Sequence, residues 1–235
     1  MLAAEACGEV LMRTTRKQVK IGVVRTFTTD NDEVLKAHGR IIEKHFPNVR
    51  TKSLCIEDQP EGVFSRETAK KGAPKVVRAV RKLALERPDA IVISCCGDPG
   101  LEDARKAVKI PVIGAGRAAA CLALQAGDKI GVFAQNKLGG SARAVRNVLG
   151  KRFVAVGFPS GVTDAYDIMN PRNRMAILKA AERLGRSGVD VVVLSCTGYS
   201  TIRLAASLRK RLRIPVIDPV IASASMALSL IHSQI

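Results

Sequence analysis

The sequence predicts an α/β protein made of two similar halves, each a parallel sheet flanked by helices. Short β-branched runs alternate with segments of helical period along the chain, the pattern of parallel βαβ units. Three landmarks also return in the same order in the second half. Lys20-Ile21-Gly22-Val23-Val24 is echoed by Lys129-Ile130-Gly131-Val132-Phe133, Ser94-Cys95-Cys96-Gly97 by Ser195-Cys196-Thr197-Gly198, and Ile110-Pro111-Val112-Ile113 by Ile214-Pro215-Val216-Ile217. An ordered repeat of this kind marks an internal duplication.

Taken in order, residues 1–17 are expected to be a poorly ordered leader, with Met12 as an alternative start. Residues 19–24 form the first strand. The loop Arg25-Thr26-Phe27-Thr28-Thr29-Asp30 follows at its carboxyl end, where hydroxyls and an arginine can meet a ligand or where Thr29 or Asp30 can cap the next helix. That helix covers 31–46 and stops at Pro47. A second strand lies within 48–56, with Cys55 as a small core residue, and a loop over 59–71 leads to a helix at 73–86. This helix buries Val76, Val77, Val80, Leu83 and Ala84 and turns its lysines and arginines outward. Pro88 and Asp89 introduce the strand that delivers Cys95; a loop rich in Gly and Pro then starts a helix at 102–108. The strand at 110–113 runs into Gly114-Ala115-Gly116-Arg117-Ala118-Ala119, which matches the dinucleotide pattern GxGxxA in letters. The next strand ends in Ala134-Gln135-Asn136, without the acidic residue that pattern requires, so a tight turn before a small-residue helix is the better reading. The second half repeats the plan with strands at 129–133, 153–157, 191–194 and 214–217, helices at 141–148 and 175–184, and a polar loop at 164–173.

Composition narrows the function. A chain of 235 residues with 47% hydrophobic content can fill a core. No apolar run approaches the roughly 20 residues of a bilayer span, and Glu5 and Glu9 interrupt any secretory pattern at the start. Six cysteines spread over such a chain read as reduced thiols, which sets the expected location as cytoplasmic. There is no CxxC, and His38, His45 and His232 lie far from any cysteine pair, so no metal site is expected; His38 and His45 read as the solvated face of one helix. The net charge of +17 attracts anions. Its basic residues are scattered, however, and with no Trp and two Tyr the stacking platforms for nucleic acid are scarce. The expected partner is a small molecule, anionic or a cyclic amide, with no membrane role and with a homo-oligomer as the assembly.

Cys95 and Cys196 sit at the carboxyl ends of strands, where open α/β sheets bind ligands. A single cysteine is most often a small buried residue, but two at equivalent strand ends inside glycine-containing loops point to a paired site. Superposing the two landmarks pairs Cys95 with Cys196 and leaves Cys96 opposite Thr197, which selects Cys95 for chemistry. Inverting a carbon acid requires a base on one face and an acid on the other. A thiol suits both tasks because its ordinary pKa of about 8.5 lies near working pH. These residues therefore imply a two-thiol racemase or isomerase. The N–H groups of Gly97 and Gly198 and the Thr197 hydroxyl are candidates to hold the oxygen that gains charge. Thr26 is a further substrate contact, and Asp98 either orients a substrate nitrogen or, as favoured, caps the helix near Leu101.

At these residues the chain resembles the aspartate/glutamate racemase superfamily, and within it the hydantoin racemase branch. Cys95-Cys96-Gly97-Asp98-Pro99-Gly100-Leu101 is similar to that branch's C-F-G-D-P-G-L, and Leu194-Ser195-Cys196-Thr197-Gly198 to its L-G-C-T-G. The resemblance runs from about Val19 to the end. It departs at Arg25-Thr26-Phe27-Thr28-Thr29, where relatives carry I-N-P-N-T, and at Arg117, where they tend to carry glutamate. It implies a catalytic pair Cys95 and Cys196 with no cofactor, in a cleft between two pseudosymmetric α/β domains. Residues 18–113 with 216–235, the returning C-terminal helix, would form the first domain, and 114–215 the second. The implied substrate is a hydantoin- or allantoin-like cyclic amide, or an amino acid. Another isomerase or decarboxylase of small dicarboxylates, or a protein that only binds an anionic metabolite, stays open as an alternative.

Overall fold

The computed structural model describes residues 18–136 and 140–233; the expected leader at 1–17, with Met12, lies outside the described residues. Two four-stranded sheets form, and every strand pair in them is parallel. The first contains β1 (Val19–Arg25), β2 (Val49–Cys55), β3 (Ala90–Ser94) and β4 (Val112–Gly114) in the order β2-β1-β3-β4. The second contains β5 (Ile130–Phe133), β6 (Phe153–Gly157), β7 (Val191–Leu194) and β8 (Val216–Ile217) in the order β6-β5-β7-β8. The two orders are the same, so the duplication read from three landmarks extends to the whole topology.

Helices α1 (Asp32–His45), α2 (Arg66–Ala84) and α3 (Leu101–Ala107) connect the first four strands, and α4 (Ala115–Ala126) leads into the second sheet. Helices α5 (Gly140–Leu149), α6 (Ala165–Met169), α7 (Arg174–Gly185), α8 (Gly198–Thr201) and α9 (Leu204–Arg209) connect the second four, and α10 (Pro219–His232) follows β8. The central strands β1, β3, β5 and β7 are covered on both faces, which is why they read as continuous apolar runs. The edge strand β6 alternates instead and leaves Val154 and Val156 half-exposed. Alanines of α4 and α10 pack with Val23, Val92, Val132 and Val193 from all four central strands, so one core serves both sheets. Their small side chains permit this close approach. Outside it, α2 and α3 cover the first sheet through Val76, Val80, Leu83 and Leu101, while α7 and α9 cover the second through Ile177, Leu184 and Leu208.

The structure corrects several boundaries. Helix α2 begins at Arg66 rather than 73, because Ser65 and Thr68 form a reciprocal capping box that starts it before Gly72 and Pro74. Pro74 lies inside that helix. The polar loop at 164–173 holds α6, capped by the Asp164 side chain on the Asp167 N–H, and a short 3-10 turn. Gly114 pairs with Ile93 in the first sheet, whereas Val216 and Ile217 pair with Val192 and Val193 in the second. Helix α10 returns to pack on α1, β3 and β4 as well as α4.

Candidate active site

The loops that follow β3 and β7 carry the two cysteines to one cavity of about 240 Å³, lined by Cys95 and Thr26 from the first half and Cys196 and Gln135 from the second. Thr26, placed by the end of β1, directs its hydroxyl at the Cys95 sulfur, which also receives the Gly97 N–H. The Cys196 sulfur receives the Gly198 N–H and donates to Gln135 Oε1 at 3.5 Å. Gln135 is fixed in this orientation by its Nε2, which donates to the Thr163 carbonyl at 3.1 Å. Thr26 and Gln135 stand six residues beyond Lys20 and Lys129 and are therefore duplicates of each other. The first was expected in the site and the second was missed, although carrying the landmark two residues past Phe133 finds it.

Burial raises both thiols above the ordinary cysteine range, Cys196 to about 12, and a thiolate on Cys95 would raise Cys196 further. At Cys95 the Gly97 N–H and the Thr26 hydroxyl oppose that rise, since both hydrogen-bond the charged form. Cys96 is also buried, but its thiol points to the Leu194 carbonyl at 3.8 Å, across to the other half.

The other expected site residues make contacts of their own within the protein. The Thr197 hydroxyl donates to the Ser94 carbonyl at 3.2 Å, so it ties the two cysteine loops together. The Gly97 and Gly198 N–H groups hydrogen-bond the Cys95 and Cys196 sulfurs. Asp98 is turned from the cavity: its carboxylate accepts the Gly116 N–H at 2.9 Å and the Arg117 N–H at 2.7 Å, which caps α4 rather than α3. This fills the helix N-terminus that the GxGxxA letters had offered to a phosphate. Burial pushes the Asp98 carboxyl up to about 7 against these two donors. Arg117 pairs with Glu102 at 2.8 Å on the surface.

Gly116 explains its own identity, because a Cβ there would lie 2.0 Å from the Cys96 carbonyl oxygen. Replacing it with alanine must part α4 from the cysteine loop. Gly116→Ala is expected to cost about 1 to 3 kcal/mol, read as a lower urea midpoint at unchanged slope; an unchanged midpoint would show that the contact yields freely.

His38 was expected on a solvated face and is instead 1% exposed. Its Nδ1 lies 2.8 Å from Ser94 Oγ and its Nε2 3.1 Å from Thr201 Oγ1, so the ring bridges the residue before Cys95 to the helix after Cys196. Position 38 shares a face with 45, but His38 lies in the middle of α1 beside the buried Gly39, whereas His45 ends the helix and is exposed. Across the mouth, the Tyr166 hydroxyl of α6 donates to the Pro60 carbonyl at 3.2 Å. Among the described residues no cluster of His, Cys, Asp and Glu could hold a metal ion, and no helix is long and apolar enough to cross a membrane.

Two duplicated parallel α/β halves that bring cysteines to a shared cavity, Cys95 and Cys96 from the first and Cys196 from the second, define the class of this protein. The chain belongs to the Asp/Glu/Hydantoin racemase family, whose profile matches residues 8–227. It is 29% identical over 162 residues to the hydantoin racemase of Pseudomonas sp. (strain NS671), a match covering 66% of this chain and 63% of that protein. It is 28% identical over 183 residues to the hydantoin racemase of Rhizobium meliloti, covering 74% and 73%. In fold it is similar to the allantoin racemase from Klebsiella pneumoniae, with a TM-score of 0.82 at 23% identity over 92% of this chain and 89% of that one.

Proposed function

We propose that the protein is a cofactor-independent racemase that inverts a carbon-acid stereocentre of a hydantoin- or allantoin-like cyclic amide, with Cys95 and Cys196 as base and acid. The observation that carries this reading is that Cys95 and Cys196 meet on one cavity from equivalent strand ends of the two halves, while Cys96, on the same cavity, turns its thiol to the Leu194 carbonyl. The thiolate of Cys95 takes the proton from one face of the substrate carbon, and the electron pair spreads into the adjacent ring carbonyl. The Cys196 thiol then returns a proton to the opposite face. The negative charge has moved from one sulfur to the other, and turnover of the mirror substrate moves it back. The surroundings suit this starting state. Both sulfurs receive a glycine N–H, but the Thr26 hydroxyl further favours a charged Cys95, whereas the Gln135 acceptor favours a protonated Cys196. The relatives named as hydantoin racemases support the cyclic-amide class. All five described cysteines are free, in keeping with a reducing cytoplasm.

The test is proton-to-deuterium exchange at the substrate carbon in heavy water, followed by NMR with 5-substituted hydantoins, allantoin, aspartate and glutamate. Exchange on the cyclic amides alone is the expected result. Exchange only on the free amino acids moves the substrate class, and exchange on none removes the racemase reading.

A further inference from the structure

Arg25 closes β1 and lines the cavity, yet it is only 6% exposed. Its Nη1 donates to the Val34 carbonyl at 2.7 Å and the Leu35 carbonyl at 3.1 Å, and the guanidinium carbon stands 4.9 Å from the centre of the Phe27 ring. These contacts hold the group in place without neutralising it. Among the described residues no carboxylate pairs with Arg25, and its Nε and Nη2 have no hydrogen-bond partner. A buried cation left without a counter-charge is costly to the folded protein. Its neighbours on the sheet offer none: the side chains at the paired positions are the Cys55 thiol and the Ser94 hydroxyl. The carboxylate among the cavity's described lining residues, Glu61, is exposed.

Nε and Nη2 form one edge of the planar guanidinium, the side that takes a carboxylate through two parallel hydrogen bonds. We propose that Arg25 receives a carboxylate carried on the ring substituent of the substrate, so that the enzyme selects anionic cyclic amides over neutral ones. The ring in this statement rests on the racemase reading; the carboxylate rests on Arg25. Burial lowers the guanidinium to about 10, which leaves it charged at neutral pH. The net charge of +17 acts in the same sense, drawing anions toward the surface.

Three hydantoins with 5-substituents of similar size decide the matter: carboxyethyl, carbamoylethyl and isopentyl. Binding is read by ligand-induced shifts in melting temperature and turnover by deuterium exchange. The proteins are wild type, Arg25→Met and Arg25→Lys. The carboxyethyl compound is expected to bind wild type at least about tenfold more tightly than its amide, as befits a hydrogen bond to a charged group. Arg25→Met loses that preference, Arg25→Lys keeps part of it, and ligand-free Arg25→Met melts no lower than wild type. A carboxylate that shifts wild-type melting no more than its amide overturns the proposal even if a variant fails to fold, and so does a preference that survives in Arg25→Met. Absence of exchange on all three sinks the racemase reading instead, while the melting shifts still judge Arg25.

Discussion

Cys95→Ala and Cys196→Ala are each expected to lower kcat/KM for racemisation by about 10²- to 10⁴-fold, the usual worth of a positioned acid or base. Cys96→Ala is expected to stay within about threefold, because its thiol is spent on the Leu194 carbonyl. The two losses differ in kind. With Cys196 gone, the Cys95 thiolate can still remove a proton and return a deuteron to the same face, so one enantiomer exchanges without inverting. With Cys95 gone, the other enantiomer does so. Loss of exchange from both enantiomers in either variant would mean that a single thiol serves both faces and would remove the two-base mechanism. Because burial raises both active thiols, the thiolate is scarce at neutral pH, and the rate climbs with pH past the ordinary thiol range of about 8.5.

The duplication made much of this legible before any coordinates. Both sheets, and both cysteines at their strand ends, follow from β-branched runs and matched landmarks that local physics fixes. Side-chain direction inside the loops did not follow. Asp98 is followed in sequence by two helix N-termini, α3 nearby and α4 beyond the next strand, and only the packing of β4 shows that α4 receives it. Gly97, Gly198 and Thr197 are matched to a substrate oxygen by type, and their contacts with the two sulfurs and with the Ser94 carbonyl depend on the turn after each strand, which spacing does not show. His38 escaped for another reason. Helical period sets which residues share a face, but whether a face meets water depends on the second half of the chain, and Thr201 is remote from it in sequence.

That same histidine gives a large pH effect. Burial, and then the charge of Arg25, hold the His38 imidazole well below its ordinary range. In its neutral form the ring donates to one of the Ser94 and Thr201 hydroxyls and accepts from the other, so both are satisfied; protonation would set a second buried cation beside the first. The folded pKa lies below the unfolded value of about 6.5, so the stabilising contribution is full above that pH and is lost as pH falls toward the folded value, at about 1.4 kcal/mol per pH unit. Asp98, pushed up to about 7 by burial, acts in the opposite sense, gaining stability as pH falls. The difference between wild type and His38→Gln therefore isolates the histidine better than either curve alone. At pH 7.5 the variant should be less stable by about 1 to 3 kcal/mol, the cost of leaving a buried hydroxyl without its partner. Below pH 6.5 that gap should close as pH falls. Denaturant melts across this range measure it, and His45 and His232, both exposed, are common to the two proteins. A gap that stays constant with pH would mean that the imidazole takes up protons alike in the folded and unfolded protein, and that burial does not hold His38 as a neutral bridge between the cysteine loops.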